Sequence, residues 1–261
     1  MARRLKINGA VVLVTGAGQG IGRELIAEIL RRGGHPIAVE FNPAFENDLS
    51  AEIGDTGAVH IADVRDSGAM TLIVGQTIEV FGGVDVVIAN AGVERVAPTV
   101  DMPADTFETV LETNIQGVYR TVKPALDSVI ARKGHVLALA SIAALIPFPM
   151  AAPYSTSKAA VDMMMRVLRM ELTGTGATAG AGYFGFVQTE MADRIFSEPA
   201  VAKAVNRLPA VPLGIKPLPS AARVAAKILD GAERRRARVF APWMVRVTFA
   251  LRASTRILMA Y

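Results

Sequence analysis

The chain of 261 residues contains no cysteine. That excludes a disulfide framework and any cysteine-based metal centre, and it favours a reducing, cytoplasmic setting. Histidine is nearly as scarce: His35, His60 and His135 fall in or beside predicted strands without ligand spacing, so they read as structural and no metal site is expected. No apolar run reaches the ~18 residues of a membrane span. Arg3, Arg4 and Lys6 precede an apolar run, Ala10–Val14, that is too short for a signal peptide and ends in a glycine motif. Acids thin out at the C-terminus, where residues 232–261 hold seven Arg against one Glu, a charge of +6 in a chain whose total is +4. The body is therefore near neutral and the tail basic, which does not describe a nucleic-acid-binding domain. What remains is 51% apolar and 20% charged, a globular composition with ample length for one large domain, and no repeat or linker divides it.

The apolar residues come in short β-branched runs that alternate with helical patterns. Val11-Val12-Leu13-Val14 reads as a strand buried on both faces. Thr15-Gly16-Ala17-Gly18-Gln19-Gly20-Ile21-Gly22 follows, then a helical pattern from Arg23 to Arg32 with Leu25, Ile26, Ile29 and Leu30 on one face. A glycine turn between strand and helix lets backbone amides at the helix N-terminus hold a pyrophosphate. A second strand, Pro36–Val39, ends at Glu40, 18 residues past Gly22. An acid there accepts hydrogen bonds from an adenosine ribose and repels a 2′-phosphate. Phe41 and Asn42 come next, so no Arg or Lys flanks it, and NAD is favoured over NADP.

Further strands are expected at Ala58–Ile61, ending in Asp63-Val64, at Val84–Ala89, ending in Asn90-Ala91-Gly92, and at His135–Ala140, ending at Ser141. A helix covers 66–81, with Met70, Ile73, Val74, Ile78 and Phe81 in phase. A longer one covers roughly 103–131, interrupted by Pro124, with Asn114 unfavourably near its middle. Strands and helices alternating at this spacing predict an α/β fold, a single-domain, Rossmann-like, doubly wound parallel sheet. Glycine turn, Glu40, Asp63, Asn90 and Ser141 then share the C-terminal rim, where open α/β sheets bind ligands.

Tyr154 and Lys158 lie one turn apart on a predicted helix that runs to about Leu172. A phenol near pKa 10 is a poor base at neutral pH, and a neighbouring ammonium pulls it down. Such a pair moves a proton to or from an alcohol oxygen.

The ordered set Thr15–Gly22, Asp63, Asn90-Ala91-Gly92, Asn114, Ser141 and Tyr154-x-x-x-Lys158 resembles the short-chain dehydrogenase/reductase family in its single-domain branch, over roughly residues 8–195. The resemblance implies that Tyr154 is the acid/base, that Lys158 lowers its pKa and binds the nicotinamide ribose, that Ser141 polarises the carbonyl, and that Asn114 holds a water relaying protons from Lys158. It further implies that Gly16, Gln19, Gly20, Ile21 and Gly22 shape the pyrophosphate turn. Asp63 and Val64 would face adenine, and Asn90, Ala91 and Gly92 would line the cofactor, Asn90 mainly by tying strands together. Gly185, Val187 and Thr189 would touch the carboxamide and phosphates, although Phe184 stands where the family has proline and the preceding Ala177–Gly182 is a weak strand former.

The same resemblance makes Ala143, Ile146, Phe148, Phe186 and Phe196 walls of a pocket for a hydrophobic secondary alcohol or ketone, with a substrate loop at about 186–215. Glu94 and Arg95 read as solvated loop residues, with a polar contact to substrate as the alternative. A homodimer or homotetramer is implied. Residues 1–242 form the catalytic domain in this reading, and 243–261 an added amphipathic helix with Trp243, Met244, Val247, Ala250, Leu251, Ile257 and Leu258 on one side, Val245, Phe249 and Met259 spoiling the segregation. That helix covers the protein's own core, packs on a partner, or rests weakly on an anionic membrane. The competing functions are an NADPH-dependent ketoacyl or carbonyl reductase and a non-catalytic NAD-binding, membrane-associated protein.

Overall fold

The run Val11–Thr15 is β1, next to the central strand of a seven-stranded, wholly parallel sheet. The order is β3-β2-β1-β4-β5-β6-β7, with β2 His35–Glu40, β3 Ala58–Ile61, β4 Val86–Ala89, β5 His135–Leu139, β6 Thr178–Phe184 and β7 Arg238–Ala241. The computed structural model describes residues 4–198, 201 and 218–258, with side chains up to 250. Chain order reverses between β1 and β4, so a crevice opens at their C-terminal ends.

Continuous apolar strands serve two cores. Val11, Leu13, Val87, Val136 and Ala138 face a layer made by α3 (Ser67–Phe81), α5 (Gly117–Val122) and α7 (Ala152–Glu171), while Val12, Val14, Val86, Ile88 and Leu137 face α1 (Gly20–Arg31), α2 (Glu46–Ile53) and the helix Ala221–Glu233. Periodicity explains each helix: α1 buries Leu25, Ile26 and Ile29, and α7 buries Val161, Met165 and Leu168. In α3, Met70, Ile73 and Val74 are buried with Thr77, whereas Ile78 is exposed. Two short helices, α2 and α8 (Glu190–Ser197), lie outside the sequence expectations; α2 buries only Leu49 and Ile53, too few repeats to give a periodic signal.

The expected helix over 103–131 is instead a chain of pieces: α4 (Ala104–Leu111), a π-helical turn Glu112–Gln116, α5, a tight turn Lys123–Ala125 around Pro124, and α6 (Leu126–Ala131). A π-turn adds a residue to the helical round and re-aims a side chain. Here it turns Asn114 fully inside.

β6 forms in spite of its glycines, and close contacts explain them. A Cβ on Gly180 would stand 2.1 Å from the Arg236 carbonyl oxygen, and one on Gly182 would stand 2.6 Å from the Phe184 ring. The glycine at 182 is what lets a phenylalanine occupy 184.

The terminal helix, Trp243–Leu258, turns inward residues that interrupt its apolar side. Val245 is buried, and Phe249 packs edge-on against Tyr183 and Phe240, under the Arg238 guanidinium. Trp243 and Val247, on the apolar side, are 72% and 44% exposed, which goes against that side covering the protein's own core. The body's aromatic pocket takes Val245 and Phe249 instead of Trp243 and Val247. Among the described residues, no helix is long and apolar enough to cross a membrane. Of the substrate loop expected at about 186–215, residues 199–200 and 202–215 lie outside the described residues, as do Met259 and the side chains of Leu251, Ile257 and Leu258.

Candidate active site

At the end of β1 the chain turns through Gly16 (φ +66°) and Gly20 (φ +56°), left-handed conformations that favour glycine. A Cβ at Gly22 would fall 1.8 Å from the Gly16 carbonyl oxygen, so the helix can approach the turn only with glycine there. Asn90 locks the turn from behind, its amide donating to the Thr15 and Gly16 carbonyls (2.9 and 3.0 Å). Gln19, at the N-cap of α1, makes no side-chain capping bond, and no acid lies in the first turn. The first-turn amides are left open toward the cleft, a ready anion site at the positive end of the helix dipole.

Glu40 stands beside this turn, 8% exposed. Its carboxylate accepts from Gly18 N (2.7 Å) and Asn42 N (2.9 Å), so it is fixed in place. Phe45 closes over Gly18, where a Cβ would meet its ring at 2.5 Å. Asp63 is taken up by Arg65, accepting from its backbone and guanidinium, which lowers the carboxyl pKa against a raising effect of burial. Val64 is buried in the core against Gly117.

Beyond the turn, β5 delivers Ser141 and α7 delivers Tyr154 and Lys158 to the same cleft. Ser141 Oγ accepts from Ala143 N (3.1 Å) and is hydrogen-bonded to the Tyr154 hydroxyl. Lys158 Nζ donates to the Leu139 carbonyl (2.8 Å), 5.5 Å from the Tyr154 ring centroid. The expected depression of the phenol pKa is not found in this state. Burial and the nearby Glu94 push Tyr154 well above its ordinary value, with the Ser141 bond opposing them. Burial also draws Lys158 down to about 8, Glu94 acting against that shift. The reason is geometric: the ammonium is turned to a carbonyl on β5, and low dielectric disfavours both charged forms.

Asn114 does not face the cleft. Its Oδ1 accepts from Val93 N (2.8 Å), and its Nδ2 donates to Val93 O (2.9 Å) and Ser157 Oγ (3.0 Å). It ties the loop after β4 to α7.

A single cleft of about 240 Å³ runs from Gln19, Gly20, Ile21 and Gly22 past Asn90 and Gly92 to Ser141, Tyr154 and Lys158. Gly185, Val187 and Thr189 border it, as do the expected pocket residues Ala143, Phe148, Phe186 and Phe196. Phe186 stacks edge-on to Phe148 and tilted to Phe196. Thr189 caps α8, its Oγ1 accepting from Ala192 N. Ile146, expected on this wall, does not line the cleft; its amide folds back onto the Ile142 carbonyl in a tight turn. Gly16, Glu40, Asp63, Val64, Ala91 and Asn114 also lie outside the cleft, around its rim or behind it. Ile195, which the resemblance also places beside Phe186 and Phe196 on an apolar wall, lines the cleft; sequence reasoning passed over Val96 and Phe184 as wall residues, and it read Glu94 as solvated where the structure turns it into the cleft. No local pattern marks Val96, Phe184 or Glu94. Among the described residues no group of acids and histidines could hold a metal ion.

The family model for short chain dehydrogenases matches residues 10–200. The chain belongs to that family. It is 31% identical over 195 residues to the oxidoreductase UcpA of Escherichia coli, covering 73% of this chain and 74% of that protein. It is 28% identical over 226 residues to 3beta-hydroxysteroid dehydrogenase 1 of Eggerthella lenta, 84% and 86% of the two chains. Its fold matches a short-chain dehydrogenase/reductase from Burkholderia phymatum solved in complex with NAD, with a TM-score of 0.85 at 21% identity, over 98% of this chain and 97% of the other. The chain is thus an oxidoreductase-family member with a nicotinamide-nucleotide fold.

Proposed function

We propose that this protein interconverts a hydrophobic secondary alcohol and its ketone with NAD(H), Tyr154 acting as acid/base. The observation that carries this reading is one continuous cleft, with open helix N-terminal amides at one end and Ser141, Tyr154 and Lys158 among apolar walls at the other. The open amides of α1 would hold the pyrophosphate and Glu40 the adenosine ribose. Asp63 and Val64 would border the adenine, Lys158 would bind the second ribose, and Gly185, Val187 and Thr189 would border the carboxamide. The cofactor supplies hydride transfer to or from the carbinol carbon. In the reductive direction Tyr154 gives its hydroxyl proton to the carbonyl oxygen while Ser141 donates a hydrogen bond to the same atom. In the oxidative direction Tyr154 takes the proton back, and a protonated Lys158 stabilises the phenolate. The raised phenol pKa suits proton donation, since the group stays protonated at neutral pH.

NAD is preferred in this reading because a fixed, buried carboxylate at 40 repels a 2′-phosphate. The hydroxysteroid dehydrogenase among its relatives supports a bulky apolar substrate. Met163, Val167 and Met170 form an exposed stripe on α7, 54%, 46% and 76% accessible, which supports pairing of two copies through that helix. Tyr154→Phe tests the assignment. Turnover of hydrophobic alcohols, followed by NADH absorbance, should fall by roughly 10²-fold or more, with NADH affinity unchanged. Equal loss of binding and turnover would refute the role.

A further inference from the structure

The loop after β4 carries a carboxyl into a pocket that is otherwise walled by apolar side chains. Glu94 follows Val93, whose N–H and C=O are both held by Asn114 (2.8 and 2.9 Å), and precedes Ala97, whose N–H donates to the Met150 carbonyl (3.0 Å). The segment is therefore pinned on both sides of Glu94. The residue lines the same cleft as Ser141, Tyr154 and Lys158. Its carboxyl is coupled electrostatically to Lys158 and Tyr154, and it accepts no hydrogen bond from any described residue. The neighbouring Arg95 does not reach it, since that guanidinium donates 2.7 Å to the Glu94 main-chain oxygen. Its oxygens face the cleft and are not sealed from it, so whatever fills the cleft can supply the donor that the protein does not.

We propose that Glu94 is a specificity-determining residue that accepts a hydrogen bond from a second hydroxyl on the substrate, beside the carbinol that reacts. The substrate class narrows from a simple hydrophobic alcohol to an apolar diol, or the hydroxyketone it forms. This rests on the reading of Tyr154 as the acid/base. A neutral donor fits better than an ammonium, because Lys158 already supplies positive charge against Glu94. The other charged groups on the cleft, Arg194 and Glu190 of α8, stand 3.8 Å apart and neutralise one another. Burial pushes the Glu94 carboxyl up to about 7, Lys158 opposing, so the accepting form fills in as pH rises through neutrality. The preference for a diol should grow across that range.

The test uses matched pairs, trans-cyclohexane-1,2-diol with cyclohexanol and 1-phenylethane-1,2-diol with 1-phenylethanol, plus 2-aminocyclohexanol as the cationic arm. The readout is the ratio of kcat/KM within each pair for the wild type, Glu94→Ala and Glu94→Gln, from which any common change in folding or rate cancels. A charge-assisted hydrogen bond predicts a wild-type ratio of about 10 to 100 in favour of the diol. Glu94→Ala should bring the ratio near one, chiefly through KM, and Glu94→Gln, whose amide oxygen still accepts, should keep part of it. A wild-type ratio near one, a ratio untouched by Glu94→Ala, or preference for the amino alcohol overturns the proposal. So does a wild type that binds NADH and oxidises neither member of a pair. Diol oxidation that survives Tyr154→Phe would instead overturn the acid/base reading on which the proposal rests.

Discussion

Replacing Asn114 by alanine should show whether the loop that carries Glu94 is held or merely rests in place. The wild-type side chain makes three hydrogen bonds and is 0% exposed. Ser157 keeps a partner without it, because its hydroxyl donates to the Tyr154 carbonyl (2.7 Å). Val93 does not, and both its N–H and its C=O would be left facing the space of the missing amide. At about 1–3 kcal/mol for each unsatisfied buried group, the loss is roughly 2–4 kcal/mol once partial relaxation is allowed. For a chain of this size that is a fall in melting temperature of about 4–16 °C. Asn114→Asp should be at least as damaging at neutral pH, since it keeps the acceptor for Val93 N but turns a carboxylate oxygen onto the Val93 carbonyl. Calorimetry gives the stability, and hydrogen exchange at the Val93 amide reports the clamp itself. A shift of under about 1 °C, or a Val93 amide that stays protected while turnover falls, would refute the structural role and return Asn114 to the proton relay.

Glu40→Ala removes the acceptor for Gly18 and Asn42 together with the charge that opposes a 2′-phosphate. NADH affinity should fall and the NADPH/NADH dissociation-constant ratio should drop at least several-fold; an unchanged ratio would separate Glu40 from cofactor choice. The outward stripe of the terminal helix, Trp243, Val247 and Ala250 beside Arg246, is proposed to rest on anionic lipid. Trp243 is the only tryptophan in the chain, so phosphatidylglycerol vesicles should shift its emission to shorter wavelength more than phosphatidylcholine vesicles do. No shift with either would leave the stripe to protein contacts.

The fold was legible because a parallel sheet buried on both faces must be written in continuous apolar runs. Val11–Val14, Val86–Ala89 and His135–Leu139 declare themselves, and the glycine turn is bounded by the first of them. The cleft was legible where its groups sit at strand ends, as Ser141 does, or one helical turn apart, as Tyr154 and Lys158 do. What escaped was whatever depends on contacts between distant segments. Asn114 was visible only as an oddity in a helix; its reason is a π-turn and a loop 21 residues upstream. The inward face of the terminal helix follows from an aromatic pocket built by Tyr183 and Phe240, which no period in 243–258 encodes. Glu94 is the sharpest case. A glutamate beside an arginine in a polar-looking loop reads as solvated, and only the Asn114 clamp and the Ala97–Met150 bond turn it inward. In the proposed reading, the family signature specifies the chemistry through residues that touch the reacting atoms. Substrate choice would then fall to positions like 94, whose environment is assembled by tertiary contacts, so that the family can be read from the sequence while the substrate must be sought in the folded cleft.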